Sequence, residues 1–328
     1  MANKEEVIII GAGPCGLATA LALKHYGMNP LIIDKGNIVQ TIYEFPTHQT
    51  FFSTSKRLEI GNIPFVSPNP KPVRQEALAY YREVASRNNL RIQSYEEVVD
   101  VQSVNDTLHL TTKKNDNTKQ YQAEHLVFAT GYYDQPQWMH VPGEDLAKVS
   151  HYFKEAHPYY GTDVAVIGGK NSAVDAALEL YHAGANVTVL YRGDAYSKSI
   201  KPWILPEFDS LVQKNEIALV FEADVTEIKA DSIVYEKNNI NYSIKNDFVF
   251  AMTGYEPNIT LLEKCGIEVD KTTGRPVRNE ETFETNIPHV YVAGVIISGF
   301  NGNETFIENG RYHGEYIAKS IYHQTQTK

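Results

Sequence analysis

Cysteine is nearly missing: Cys15 and Cys265 are the only two in 328 residues. A pair so far apart makes no disulfide framework and no local redox couple, and free thiols point to a reducing cytoplasm. Long apolar runs are absent, so no membrane span is expected. Val7 already opens an apolar strand, which leaves no room ahead of it for a secretory leader. Positive charge is in deficit, with 30 Lys and Arg against 40 Asp and Glu, a net charge of −10. That balance argues against nucleic acid as a general partner. The 11 histidines fall in no metal-ligand spacing with the cysteines, so no metal site is expected. What remains is ordinary: 42% apolar and 21% charged residues, enough for one large or two medium globular domains.

The most informative stretch lies near the start. Val7-Ile8-Ile9-Ile10 reads as a buried strand and Gly11-Ala12-Gly13-Pro14-Cys15-Gly16 as a glycine turn, with a helix over Leu17 to Tyr26. Gly11 permits the tight turn, Gly13 lets the backbone approach a pyrophosphate, and Gly16 lets the helix pack on the strand. The helix N-terminus then offers N–H groups and partial positive charge to phosphate oxygens. A second apolar run, Leu31-Ile32-Ile33, ends in Asp34, 18 residues past Gly16 and near the spacing of an acid that accepts from a ribose hydroxyl.

The same order recurs. Val164 to Ile167 is an apolar strand, Gly168-Gly169-Lys170-Asn171-Ser172-Ala173 a turn, Val174 to His182 a helix, and Val187 to Tyr191 a strand. Each copy continues through short strand-like runs to a closing Thr-Gly, Thr130-Gly131 first and Thr253-Gly254 second. Residues 255–328 are too few for a third copy and contain Tyr291-Val292-Ala293-Gly294 and a helix from about Thr305 to Tyr322. The expected architecture is α/β, with two Rossmann-like, three-layer ββα dinucleotide-binding domains. The first takes residues 1–150 and 255–328, and the second, 151–254, is inserted in it.

The two copies end in opposite charge. Asp34 suits a ribose diol and repels a 2′-phosphate, whereas Arg192, 19 residues past Ala173, would donate to that phosphate. Lys198 and Lys201 could assist. Two such sites in one chain imply an electron relay, FAD in the first and NADPH in the second. The segment from Tyr43 to Thr54, rich in aromatics and hydroxyls, reads equally as a lining for a flat ligand or as a covering loop.

The GAGPCG turn, Ala129-Thr130-Gly131, the GGKNSA turn, Met252-Thr253-Gly254 and Tyr291-Val292-Ala293-Gly294 together resemble the low-molecular-weight thioredoxin-reductase family of two-dinucleotide flavoproteins. More narrowly, GPCG with PTHQTFF, HYFKEAHP, GGKNSAVDAALEL and KPWILP is similar to the YpdA-type bacillithiol disulfide reductases of Firmicutes. The resemblance implies an FAD-containing, NADPH-dependent reductase of bacillithiol disulfide, cytoplasmic and homo-oligomeric. The candidate flavin contacts are Gly11, Gly13, Pro14, Cys15, Gly16, Asp34, Lys35, Gln40, Tyr43, Thr50, Thr130, Gly131, Gly294 and Thr305. The candidate NADPH contacts are Gly168, Gly169, Lys170, Asn171, Ser172, Ala173, Arg192 and Lys198.

Three departures from the wider family matter. His151 to Gly161, where thioredoxin reductases carry CxxC, has no cysteine, which excludes a dithiol relay. Lys170 takes the place of a turn glycine, its side chain either turned away from the pyrophosphate or bound to it. Val295 stands where the family has a ribitol-binding Asp. Cys15 has two readings: a helix N-terminus lowers a thiol pKa and would make it a nucleophile toward a disulfide, or it is a small hydrophobe in tight packing. Cys265 reads as structural. The rival functions are a ferredoxin or flavodoxin reductase using the same cofactors and a non-enzymatic flavin sensor. A flavin monooxygenase fits poorly, because Asp145 and Ala147 stand where its linker motif needs phenylalanine and glycine.

Overall fold

The computed structural model describes residues 3–104 and 107–326. They form two compact units: Met1–Tyr43, Gln49–Gln135 and Tyr255–Lys328 in one, Glu44–His48 and Pro136–Gly254 in the other. The first unit opens with strand β1 (Asn3–Ile10), helix α1 (Pro14–His25) and strand β2 (Leu31–Asp34). β1 pairs in parallel with β2, Ile8 opposite Leu31 and Ile10 opposite Ile33. Val7 to Ile10 are all buried. Successive strand residues point to opposite faces, so a run of four buried residues means that both faces of the sheet are covered. α1 starts at Pro14, ahead of the expected Leu17, because a proline at the first helical position loses no hydrogen bond.

The long strand Asn117–Phe128 is the sheet's pivot. Its residues 121–128 pair in parallel with β1. On its other edge it forks: residues 117–123 pair antiparallel with Thr107–Lys114, and residues 126–128 pair in parallel with Val290–Val292. The tail thus completes the sheet begun by the first strand. Helix Arg74–Arg87 buries Leu78, Tyr81, Val84 and Ala85, the face its spacing predicts. The expected tail helix is broken instead into Ile307–Gly310 and His313–Gln326. The break falls where the Arg311 guanidinium donates to the carbonyls of Lys56 and Glu59.

The second unit has a five-stranded parallel sheet, in the order Ala218–Phe221, Asn186–Tyr191, Asp163–Ile167, Phe248–Ala251, Val149–Ser150. Its central strand shows the layering. Val164 and Val166 pack with Ala173, Ala177 and Leu180 of the helix Asn171–His182. Ala165 and Ile167 pack with Ile228, Ile233 and Tyr235 of an antiparallel meander. Helices, parallel sheet and meander make a Rossmann-like α/β unit, and with the first unit the fold class is that expected. One boundary differs. Residues 136–150, assigned from sequence to the first domain, belong to the second unit, because Val149–Ser150 extends the second parallel sheet beside Phe248–Ala251. So does Glu44–His48, where His48 lies 3.3 Å from Asp175 on the second unit's helix.

Candidate active site

The first glycine turn is built by contacts that leave no room for side chains at two of its three glycines. Gly11 has φ +111°, and a Cβ there would lie 2.3 Å from the Ala129 carbonyl oxygen. A Cβ on Gly16 would lie 2.0 Å from the Gly11 oxygen. At Gly13 it would meet nothing within 4 Å. The fold therefore needs Gly11 and Gly16, while the space over Gly13 is open. Pro14 has no N–H, so the first-turn donors that face this space are those of Cys15 and Gly16, unpaired within the helix.

Asp34 closes the turn from below. Its Oδ2 accepts from the Ala12 N–H at 2.6 Å and its Oδ1 from the Gly36 N–H at 2.7 Å. Burial pushes this carboxyl above its ordinary value, and the two backbone donors oppose that rise. Each carboxylate oxygen keeps a second lone pair for a hydroxyl donor, so holding the turn and binding a ribose are compatible. Lys35 pairs with Asp134 at 2.8 Å. Gln40 accepts from the Asn37 N–H at 3.1 Å and folds over Gly36. The Tyr43 ring lies under the Arg74 guanidinium, 5.2 Å from its centre, and Thr50 is held by a bridge to Val73.

Four further expected positions come from later in the chain, and Thr130 and Gly294 lie against the turn. The Thr130 hydroxyl is buried without a hydrogen-bond partner, and Thr130 Cα lies 3.4 Å from where a Gly11 Cβ would stand. Gly131 (φ +73°) leaves open space at its Cβ position. Gly294 (φ +79°) faces Cys15: a Cβ on Gly294 would lie 3.1 Å from Sγ. Thr305 is turned to Ser298, their hydroxyls 2.5 Å apart. An orphaned buried hydroxyl, an open glycine and helix N–H donors side by side suit an anionic dinucleotide.

Cys15 departs from the nucleophile reading. Its thiol is enclosed between Gly294 and Gly310, and a Cβ on Gly310 would be 3.0 Å from Sγ. Burial pushes its pKa up to about 12. A helix N-terminus favours a thiolate by about 0.3–2 kcal/mol, whereas a rise from 9 to about 12 is worth about 4 kcal/mol, so burial wins. The thiol is therefore held in its neutral form at pH 7. Cys15 as a residue is half-buried, whereas Cys265 is buried and its thiol is likewise pushed up to about 12, first by burial and then by Asp100. We expect iodoacetamide at pH 8 to label both cysteines in the folded protein at least about 100-fold more slowly than in urea, since only the accessible thiolate reacts. Fast labelling of Cys15 in the folded state would restore the nucleophile.

The second turn repeats the first with different end groups. Gly168 has φ +135° and would clash with the Met252 carbonyl, and a Cβ on Gly169 would strike the Tyr191 ring. Ala173 is buried at the close-packing position of Gly16. Lys170 is the exposed residue just before the helix Asn171–His182. Asn171 donates from Nδ2 to the Ser199 carbonyl (2.9 Å) and accepts from the Lys201 N–H (2.9 Å), so it stitches the 197–201 turn to the helix. Ser172 is exposed on the first helical turn. Arg192 and Lys198 are exposed too, and among the described residues no carboxylate forms an ion pair with either.

Sequence reasoning missed His313. It is buried, and burial lowers its pKa to about 4, helped by the Arg278 charge. Its signal lay only in the fold, since Gly294, its partner, is 19 residues away. In the unfolded chain the ring titrates near 6.5. Between those values the unfolded state binds the extra proton, so stability falls as pH drops from 6.5 toward 4, by about 3 kcal/mol for this group. Thermal melts at pH 7 and 4.5 should show a loss that shrinks correspondingly in His313→Phe.

Among the described residues no group of three His, Cys, Asp or Glu is placed to hold a metal ion, and no helix is long and apolar enough to cross a membrane. A family model described as pyridine nucleotide-disulphide oxidoreductase matches residues 8–294. Bacilliredoxin reductase Bdr of Bacillus subtilis (strain 168) is 57% identical over 322 residues, covering 97% of this chain and 98% of its own. The solved structure titled Bacillithiol Disulfide Reductase Bdr (YpdA) from Bacillus cereus is 55% identical, with a TM-score of 0.96, over 98% of this chain and 100% of that one. Its counterpart from Staphylococcus aureus is 51% identical, with a TM-score of 0.94, over 99% and 100%. Two glycine turns of this geometry and a match over most of the length agree: the chain is an oxidoreductase and belongs to the pyridine nucleotide-disulphide oxidoreductase family.

Proposed function

We propose that the chain is an FAD-containing, NADPH-dependent reductase of bacillithiol disulfide that works in the cytoplasm. The observation that carries this is the contrast between the two turns. One ends in Asp34, bound to the turn it supports, and the other in Arg192, exposed and with no carboxylate ion pair among the described residues. In this reading the donors of Cys15 and Gly16 over Gly13, with Thr130, take the flavin pyrophosphate end. Asp34 takes the adenosine ribose. In the second unit the turn from Gly168 to Ala173 takes the nicotinamide dinucleotide, and Arg192 with Lys198 takes its 2′-phosphate. When both are bound, nicotinamide and flavin supply hydride transfer and two-electron reduction of an acceptor disulfide. The protein's own part is to bind and orient them. Cys15, a neutral enclosed thiol, contributes packing beneath the turn.

The acceptor follows from the relatives' names. The two structure titles name bacillithiol disulfide, whereas the Bacillus subtilis name points to a bacilliredoxin. The test is the purified protein's visible spectrum, bleaching of that spectrum by NADPH without oxygen, and NADPH consumption with bacillithiol disulfide alone. A flavin spectrum, bleaching and turnover are expected. Turnover only when a bacilliredoxin is added would move the acceptor to that protein. Rapid reduction of a flavodoxin with no disulfide turnover would replace the assignment by a flavodoxin reductase.

A further inference from the structure

The turn that follows Val290–Val292 is pinned from an unexpected side. Gly294 opens the short 3-10 turn Gly294–Ser298, and its N–H donates to His313 Nδ1 at 3.1 Å in a buried bond. An accepting Nδ1 leaves the ring proton on Nε2, so the neutral tautomer is fixed. The ring cannot swing away, because it lies on Phe283 with centroids 4.4 Å apart and planes 22° off parallel. Nor can its backbone slide. His313 begins the last helix, and the next residue, Gly314, sits so close to α1 that a Cβ there would be 2.5 Å from Thr19 Cα. Thr19 in turn donates to the Cys15 carbonyl at 2.8 Å. Cys15 faces Gly294. The contacts close a ring around the start of α1: Cys15, Gly294, His313, Gly314, Thr19 and back to Cys15.

We propose that His313 is a positioning residue for the cofactor site of the first unit: by accepting the Gly294 N–H it fixes the Gly294–Ser298 turn against the N-terminus of α1 and so sets how tightly, and in what surroundings, the flavin is held. This rests on the assignment of FAD to that unit. His313 touches no reacting atom; it acts through the backbone of Gly294. A buried N–H that loses its acceptor must find another or move, and either shifts the turn.

The test uses the full chain stripped of flavin, titrated with FAD by fluorescence, with the visible spectrum of the refilled protein and the melting temperature of the apoprotein. His313→Phe keeps the stacking on Phe283 and removes the acceptor. It is expected to weaken FAD binding by about tenfold or more and to shift the flavin absorption band. His313→Asn keeps an acceptor oxygen close to the Nδ1 position and should bind within about threefold of the original. Unchanged FAD affinity and spectrum in His313→Phe overturn the proposal. So do equal losses in both variants that follow apoprotein stability alone, since a merely structural role would give that pattern. If His313→Phe does not fold, the asparagine variant decides: a loss near a hundredfold overturns the proposal. Failure of the unsubstituted protein to take up FAD overturns the cofactor assignment itself, and this proposal with it.

Discussion

Replacing Arg192 by Ala is expected to raise the KM for NADPH by about ten- to a hundredfold and to leave that for NADH within about twofold. Arg192 ends the strand Asn186–Tyr191 with an exposed guanidinium and no carboxylate partner in the described structure. A charge-assisted bond contributes about 1.5–3 kcal/mol, and each 1.4 kcal/mol is a factor of ten. NADH lacks the phosphate that such a bond would engage, so the effect should split by cofactor. The preference should also shrink as salt is added, because an exposed charge pair is screened. Lys198→Ala should act in the same direction and less strongly, since an ammonium meets a phosphate as a point charge and lacks the planar two-pronged donor geometry of a guanidinium. Steady-state kinetics with both cofactors decide it. Equal changes for NADPH and NADH would remove Arg192 from the specificity role.

The glycines of the first turn should separate folding from binding. In Gly16→Ala the new Cβ would sit 2.0 Å from a backbone oxygen. Backbone cannot move aside as a side chain can, so a loss of about 4 kcal/mol or failure to fold is expected. Gly11→Ala adds a left-handed φ to a 2.3 Å clash and should be as damaging. Gly13→Ala differs. Gly13 has φ −71° and ψ 174°, open to any residue, and its Cβ position is empty. The apoprotein should melt within about 0.5 kcal/mol of the original, yet lose about a hundredfold or more in FAD affinity, because the methyl takes the space assigned to the pyrophosphate. Calorimetry of the apoprotein and FAD titration are the two readouts. Normal FAD binding by Gly13→Ala would mean that the pyrophosphate does not lie over this turn.

Much of this is legible in the sequence because the elements involved are local. Gly11, Gly16 and Asp34 sit within one strand–turn–helix–strand unit, and their spacing alone dictates the turn. The second copy was readable for the same reason. The choice between the two readings of Cys15 is not legible locally, because the residues that flank its thiol, Gly294 and Gly310, come from the far end of the chain. The local signal, a helix N-terminus, is real but weaker than the burial those glycines impose. His313 was invisible for a like reason: nothing near it in sequence marks it. Residues 136–150 were misassigned because a two-residue strand, Val149–Ser150, carries no periodicity to read, and only its pairing with Phe248–Ala251 reveals its sheet. At Asp34 the spacing suggests a ribose acceptor, but it does not reveal the bonds to Ala12 and Gly36.

The forked strand Asn117–Phe128 has a consequence for how the chain assembles. Its outer half finds a partner a few residues upstream, but the free edge at 126–128 waits for Val290–Val292. On a ribosome, the whole second unit to Gly254 emerges before that partner does. The inserted unit can therefore mature first, while its host keeps an unpaired sheet edge of the kind that recruits other chains. Polypeptides cut short after Gly254 should aggregate through this edge, and the slowest refolding phase should track the docking of the tail.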